Sequence, residues 1–186
     1  MSQQEFWNSK FSKADFFYGL NPNEFLASNI ELLNNHKKLL CLGEGEGRNA
    51  IFFAKNGFDV SAIDASNLGL EKLQNRAKEE NLDIKTICMD LNFWKADEKY
   101  DVIVASYLHM YKDEREELFK KIEESLNING YFIAEFFSKK QLSFNSGGPK
   151  DLDLLYSVED FSNHFNLCKK NIKEEIVVLD EGIGHQ

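Results

Sequence analysis

The amino-acid sequence predicts a doubly wound, Rossmann-like α/β domain, with a mostly parallel sheet and helices on both faces. Short apolar runs alternate with helical patterns along most of the chain, and a glycine-rich turn follows the first run. "YDVIVASYL", residues 100–108, is a continuous apolar stretch of the kind buried on both faces of a sheet. Crossovers between successive strands are right-handed, which makes the sheet parallel and covers both its sides.

The elements follow in order. The aromatic lead-in "FWNSKFSKADFFYG" reads as partly helical. Asn21 is expected to cap a helix with Pro22 at its first position, Glu24 in its first turn and Phe25, Leu26, Ile30 and Leu33 on its apolar side. "KKLLCL" is a strand, residues 47–56 a helix closing at Gly57, and "FDVSAID" a second strand. Ser66 caps the next helix, whose Leu70, Leu73 and Ala77 share one face, and "IKTICMD" is the third strand. After "YDVIVASYL", Asp113 with Glu116 opens a helix carrying Leu118, Phe119, Ile122 and Leu126, and "NING" turns the chain into "YFIAEFF".

A length of 186 residues suits a single domain over 1–186, and no repeat, low-complexity tract or proline-rich linker divides it. Hydrophobic residues make up 42% of the chain and no apolar run is long enough to span a bilayer, so neither disorder nor a membrane is expected. The start "MSQQEFWNSKFSK" has no secretion signal, which makes the cytoplasm the default compartment. Cys41, Cys88 and Cys168 are odd in number and far apart, so neither a disulfide framework nor a metal site is expected; Cys41 and Cys88 read as small buried hydrophobes. A net charge of -9 argues against nucleic acid and anionic lipid and leaves a small molecule as the ligand class.

The stretch "LLCLGEGEGRNA", residues 39–50, carries the chemistry. In a doubly wound sheet, ligands sit beyond the carboxyl ends of the strands where the strand order reverses. Gly43, Gly45 and Gly47 let the backbone turn sharply and approach a ligand ahead of a helix N-terminus. Glu44 and Glu46 beside that terminus repel a pyrophosphate and suit an ammonium or sulfonium group. The dinucleotide fingerprint would also place glycine at position 48, where this chain has Arg48, so a nicotinamide oxidoreductase is the weaker reading. Asp64 lies 21 residues after Gly43 at a strand end, the usual place for a ribose-binding carboxylate; Asp90 ends the third strand on the same edge. One of them can hold a ribose and the other an adenine amino group.

"LLCLGEGEGRNAIFFAKNGFDVSAIDAS" resembles the cofactor-binding half of class I S-adenosylmethionine-dependent methyltransferases, in the branch of tellurite-resistance-type and thiopurine-like enzymes. The likeness extends to "DFFYGLNPNEFL", to residues 100–137, to "SGGPKDLDLLYSVEDFSNHF" and to "LDEGIGHQ", all in the family's order. It implies S-adenosylmethionine as cofactor, with S-adenosylhomocysteine as product. Gly43, Gly45 and Gly47 would meet its methionine part, Asp64 its ribose, and Asp90 with the Leu91 backbone its adenine; Ala65 would also bind the cofactor, Ser106 would lie by the methionine part and Tyr18 would close over it. The acidic residue that many relatives carry two positions before the first glycine is Cys41 here, leaving Glu44 or another group for the cofactor's amino group. The family's last strand is expected to be missing, which would leave the strand around "EEIVVLD" as an exposed edge, either frayed, covered by a second copy of the chain, or the result of truncation.

On the reacting side, His109 just past the fourth strand is the candidate base and matches a histidine of the branch, with Tyr107 and Tyr111 flanking it. Arg115 is read either as an attractor of an anionic substrate or as one half of a surface ion pair. Gly147 and Gly148, in the turn-rich segment 143–151, suit a substrate-covering loop, and His185 falls in a segment similar to one near the family's substrate pocket. The expected activity is methyl transfer to a small acceptor, a thiol or a metalloid oxyanion. The alternatives are a non-catalytic S-adenosylmethionine-binding or partner-binding protein and, further off, an NAD-dependent oxidoreductase; an RNA methyltransferase is disfavoured by the charge.

Overall fold

Residues Lys38–Leu42 form β1, the middle strand of a five-stranded sheet in the computed structural model, which describes residues 1–144, 147–179 and 181. The other strands are β2 (Asp59–Asp64), β3 (Ile84–Cys88), β4 (Tyr100–Ser106) and β5 (Leu126–Glu135), in the order β3-β2-β1-β4-β5, with every neighbouring pair parallel. The chain therefore winds outward from β1 to one edge, returns to β4 beside it, and winds outward again. The reversal lies between β1 and β4, and their carboxyl ends frame a crevice.

Alternation along the strands sorts the core. Leu39 and Cys41 of β1 point with Val60, Ala62, Val102 and Val104 toward α2 (Glu24–Ser28), α3 (Arg48–Lys55) and α4 (Asn67–Glu79), where Leu26, Phe53 and Leu73 meet them. Leu40 and Leu42 point with Ile63, Ile103 and Ala105 to the opposite face, covered by Leu118, Phe119 and Ile122 of α5 (Lys112–Ser125) and by Phe161 of α6 (Val158–Ser162). Leu39, Leu40, Ile63 and Ile103 are fully buried, each worth about 1.5–3 kcal/mol. The doubly wound fold expected from the sequence is present, with helices on both faces.

Several local expectations change. The lead-in forms α1 (Gln3–Phe11), and the helix after it is capped by Asn23, not Asn21: Asn23 Oδ1 accepts the Leu26 N–H at 2.9 Å. That helix stops at Ser28, and Ile30–Leu33 continue as a 3-10 turn. Helix α5 begins one residue before Asp113, and Glu114, not Glu116, reaches back to the Tyr111 N–H at 2.9 Å. "NING" lies within β5 as an irregularity: the register slips between Tyr100 opposite Leu126 and Val102 opposite Tyr131, and Asn129 takes φ 64. Asp101 anchors that slip, accepting the Lys37 and Lys38 N–H groups at 3.0 Å and the Asn127 amide at 2.8 Å. Among the described residues the strand expected around "EEIVVLD" is not there. Residues 171–179 have no regular structure and β5 ends the sheet, so the edge expected to pair with a second copy is absent; Leu179 instead packs on the cluster of Tyr107, Phe137 and Leu155.

Candidate functional site

The turn after β1 is built for close approach. Gly43 and Gly45 have φ 61 and 60, in the left-handed region where a side chain is disfavoured. A Cβ on Gly43 would stand 2.4 Å from Leu108 Cδ1, and one on Gly45 2.9 Å from Phe11 Cζ. Gly47 serves packing: its missing side chain admits Leu73. Between these glycines Glu44 folds back onto α3, its Oε1 accepting the Asn49 and Ala50 N–H groups at 2.8 and 2.7 Å. The carboxylate thereby does the capping that Gly47 has no side chain to do. Burial pushes the Glu44 carboxyl up to about 7, against the pull of those two backbone N–H groups and of Arg48.

Asp64 at the end of β2 is held in the same way, accepting the Gly45 N–H at 2.8 Å and the Ser66 N–H at 2.7 Å. Burial pushes its carboxyl up to about 6. Ser66 caps α4 as the sequence implied, accepting the Gly69 N–H at 3.0 Å. Glu46 faces elsewhere: it accepts the Phe17 N–H at 2.7 Å and pairs with Lys72 at 2.6 Å, which ties down the lead-in.

These groups line a cavity of about 500 Å³ in all, part of it open to solvent, at the carboxyl ends of β1, β2 and β4. Its floor is Gly43, Glu44, Gly45 and Asp64; Ser106, Tyr107, Leu108 and His109 close one side, and Trp7, Phe11 and Tyr18 form a roof. Trp7 stacks on Phe11 at 5.7 Å and meets the His109 ring at 5.2 Å. Helix α1 is clamped to α4, since Asn8 accepts the Ser66 hydroxyl at 2.7 Å and donates to Asn67 at 2.9 Å. The Tyr18 hydroxyl is pushed up to about 12 by burial, so the ring stays neutral.

Behind the cavity lies a polar network that sequence reasoning missed. Asn49 donates to the Ser106 hydroxyl at 3.1 Å and accepts the Asn23 N–H at 2.9 Å. The Asn23 amide donates to Glu135 at 2.6 Å and to Glu181 at 3.2 Å. Tyr107 donates to Glu135 at 2.7 Å, and burial with that neighbouring carboxylate keeps its hydroxyl protonated. Arg48 Nη2 pairs with Glu181 at 3.0 Å, while the buried Arg48 Nη1 meets no hydrogen-bond partner.

Of the residues singled out from sequence, Tyr18, Gly43, Glu44, Gly45, Asp64, Ser106 and His109 come together on the cavity. Others do not line it. Asp90 accepts the Asn92 N–H at 2.9 Å in the turn after β3, Leu91 is buried beside Trp94, and the Ala65 carbonyl receives the Cys88 thiol at 3.6 Å. Arg115 is not a surface group. It is buried, donating to the carbonyls of Met110, Leu155 and Asp153 and pairing with Asp160 at 3.3 Å, with its guanidinium 3.8 Å from the Tyr156 ring centroid. Tyr111 is exposed. Gly147 receives the Gln141 amide on its carbonyl at 2.9 Å, and Gly148 sits against Phe137. His185 lies outside the described residues.

The family model described as "Tellurite resistance protein TehB" matches residues 9–140. A curated relative, the "Probable S-adenosyl-L-methionine-dependent methyltransferase TehB" of Haemophilus influenzae (strain 10810), is 32% identical over 96 residues, 50% of this chain and 34% of the relative. The chain thus matches about a third of that protein's length. The crystal structure of TehB from Haemophilus influenzae superimposes with a TM-score of 0.54 at 23% identity, covering 72% of this chain and 45% of that one. The CcbJ methyltransferase from Streptomyces caelestis gives 0.64 at 19% identity, covering 79% and 63%. At these identities the two structures bear on the fold alone.

Proposed function

Because the chain belongs to the TehB family, we propose that it transfers the methyl group of S-adenosylmethionine to a small, soft acceptor, a thiol or a metalloid oxyanion. The observation that carries this reading is the cavity at the strand reversal, where a glycine floor is joined to two buried carboxylates, Glu44 and Asp64, under an aromatic roof. This set fits the cofactor. The left-handed backbone of Gly43 and Gly45 makes the sharp turn of the floor, the carboxylates oppose a pyrophosphate, and Asp64 retains acceptor capacity for ribose hydroxyls beyond its two backbone bonds.

When bound, S-adenosylmethionine supplies an electrophilic methyl carbon on a sulfonium. The chain's own groups do the rest. Glu44 and Asp64 provide negative potential that suits a cation once they are ionised; burial raises the two carboxyls to about 7 and about 6, and a bound cation favours their charged forms. Trp7, Phe11 and Tyr18 cover the site and exclude water, which favours displacement over hydrolysis. His109, which lines the cavity with its ring against Trp7, is the group to take a proton from a neutral acceptor; an acceptor already ionised needs none. With a net charge of -9 we assign no nucleic-acid partner, and we place the protein in the cytoplasm; no helix among the described residues is long and apolar enough to cross a membrane.

The reading is tested by calorimetric titration with S-adenosylmethionine, S-adenosylhomocysteine and NAD, repeated on Asp64→Ala. It expects binding of the first two only, weakened by the substitution, followed by turnover on a panel of thiols and metalloid oxyanions. Binding of NAD alone would overturn it.

A further inference from the structure

Tyr107 follows β4 with φ 50, a left-handed backbone that an aromatic residue adopts only under constraint. Glu135, at the end of β5, supplies that constraint from both its backbone and its side chain. Its carbonyl accepts the Tyr107 N–H at 2.8 Å, and its Oε2 accepts the Tyr107 hydroxyl at 2.7 Å. The same Oε2 accepts the Asn23 amide at 2.6 Å, which fixes the carboxylate in turn, and Phe137 stacks on the Tyr107 ring at 4.6 Å. Glu135 itself does not line the cavity.

The constrained turn has a geometric result. Ser106, Tyr107, Leu108 and His109 are consecutive in the chain and all four line the cavity. In an extended strand successive side chains point to opposite faces, so four in a row on one wall require a break in the alternation. Tyr107 is that break. Beyond it Leu108 lies over Gly43, where a Cβ would come within 2.4 Å of its Cδ1, and the Leu108 carbonyl accepts the Tyr156 hydroxyl at 2.9 Å. His109 comes next, with its ring 5.2 Å from that of Trp7. A return of Tyr107 to negative φ would rotate the peptide that follows and carry His109 away from Trp7.

We infer that Glu135 is a positioning residue for His109: by gripping Tyr107 at its backbone and its hydroxyl, it holds the left-handed turn that brings the imidazole to the cavity. This rests on the reading of His109 as the group that takes the acceptor's proton. It assigns to a residue outside the cavity a part in how well that proton is taken.

The test begins with proton NMR of the full chain without ligand. The His109 imidazole signals, identified by their loss in His109→Gln, should be displaced by the Trp7 ring current, and Trp7→Leu gives their undisplaced position. In Tyr107→Phe, which keeps the stack on Phe137, the displacement should fall by at least half. Glu135→Ala should lower it likewise, which keeps the comparison available if one of the two variants does not fold. Glu135→Gln, which retains an oxygen for the Tyr107 hydroxyl, should recover most of it. The second readout is kcat at pH 7 on two thiols, 2-mercaptoethanol, which is protonated there, and 4-nitrothiophenol, which is ionised. Tyr107→Phe should lower kcat about tenfold or more on the first and less than about twofold on the second, since only the first needs a base. Undisturbed His109 signals in the folded variants would overturn the inference and leave the methyltransferase reading standing. Equal losses on the two thiols, the mark of a merely structural role, would overturn it too. Failure of wild type to bind S-adenosylhomocysteine in calorimetric titration would refute the methyltransferase reading instead; the NMR comparison needs neither cofactor nor acceptor, so it decides the placement of His109 in either case.

Discussion

Tyr107 donates its phenolic hydrogen to Glu135 across 2.7 Å while its own backbone sits at φ 50, in the left-handed region. An aromatic residue held there is strained by about 1–2 kcal/mol, so the surrounding contacts must outweigh that cost. They are the bond to Glu135, a stack on Phe137 at 4.6 Å, and a backbone bond from the Tyr107 N–H to the Glu135 carbonyl at 2.8 Å. Together they join the end of β4 to the end of β5 behind the cavity.

Tyr107→Phe keeps the stack and removes one donor from a half-buried carboxylate. The expected cost is about 1 kcal/mol of stability, the usual net worth of such a hydrogen bond. Urea unfolding measures it. A loss under a few tenths of a kcal/mol would mean that Asn23, which also donates to Glu135, satisfies the carboxylate alone.

Glu44 makes stability depend on pH in a definite direction. Its carboxyl is pushed from an ordinary 4.5 up to about 7 by burial, with Arg48 and Asp64 the charged groups that act on it. Between those values the folded chain holds a proton that the unfolded chain has released, so stability falls as pH rises through that window. In Glu44→Gln the amide oxygen still accepts the Asn49 and Ala50 N–H groups, while the titration is gone. Relative to wild type the variant should gain stability from pH 4 to pH 8 by on the order of 3 kcal/mol. Chemical denaturation at a series of pH values checks this, and parallel pH profiles for the two proteins would refute it.

Arg115 ties the start of α5 to the segment before α6 through three carbonyls and Asp160. Arg115→Ala leaves those acceptors unpaired in a buried setting and should cost about 3–5 kcal/mol. Cofactor affinity should not change in the fraction that remains folded, because Arg115 does not line the cavity. A weakened affinity with an unchanged melting temperature would return Arg115 to the ligand.

What the sequence made legible was local. The glycine turn and the Ser66 cap follow from residues a few positions apart, Asp64 from its place at a strand end 21 residues on, and the unbroken apolar run of residues 100–108 announced a strand covered on both faces. The network behind the cavity was not legible, because Asn23 reaches Glu135 across 112 positions and Glu181 across 158. Arg48 stood out only as the residue interrupting a dinucleotide pattern. Arg115 did carry a readable signal: it precedes Leu118, Phe119 and Ile122 by three, four and seven positions, which places it on the buried stripe of α5. "EEIVVLD" shows the converse, since an apolar run forms a strand only where a sheet edge receives it.

One small side chain helps hold the roof on. Asn8 accepts from Ser66 and donates to Asn67, so it fastens α1, and with it Trp7 and Phe11, to the first turn of α4. Phe11 in turn fits the space left by the absent Cβ atoms of Gly45 and Gly69. Asn8→Ala breaks both side-chain bonds and keeps that packing, at a cost of about 1 kcal/mol for a partly exposed pair. The global melting temperature should move little, while opening of the roof becomes more frequent. Amide exchange should therefore accelerate in Gln3–Phe11 alone, and S-adenosylhomocysteine should leave several-fold faster in stopped-flow displacement. Faster exchange with an unaltered off-rate would mean that the ligand leaves by another route, past Tyr107 and His109.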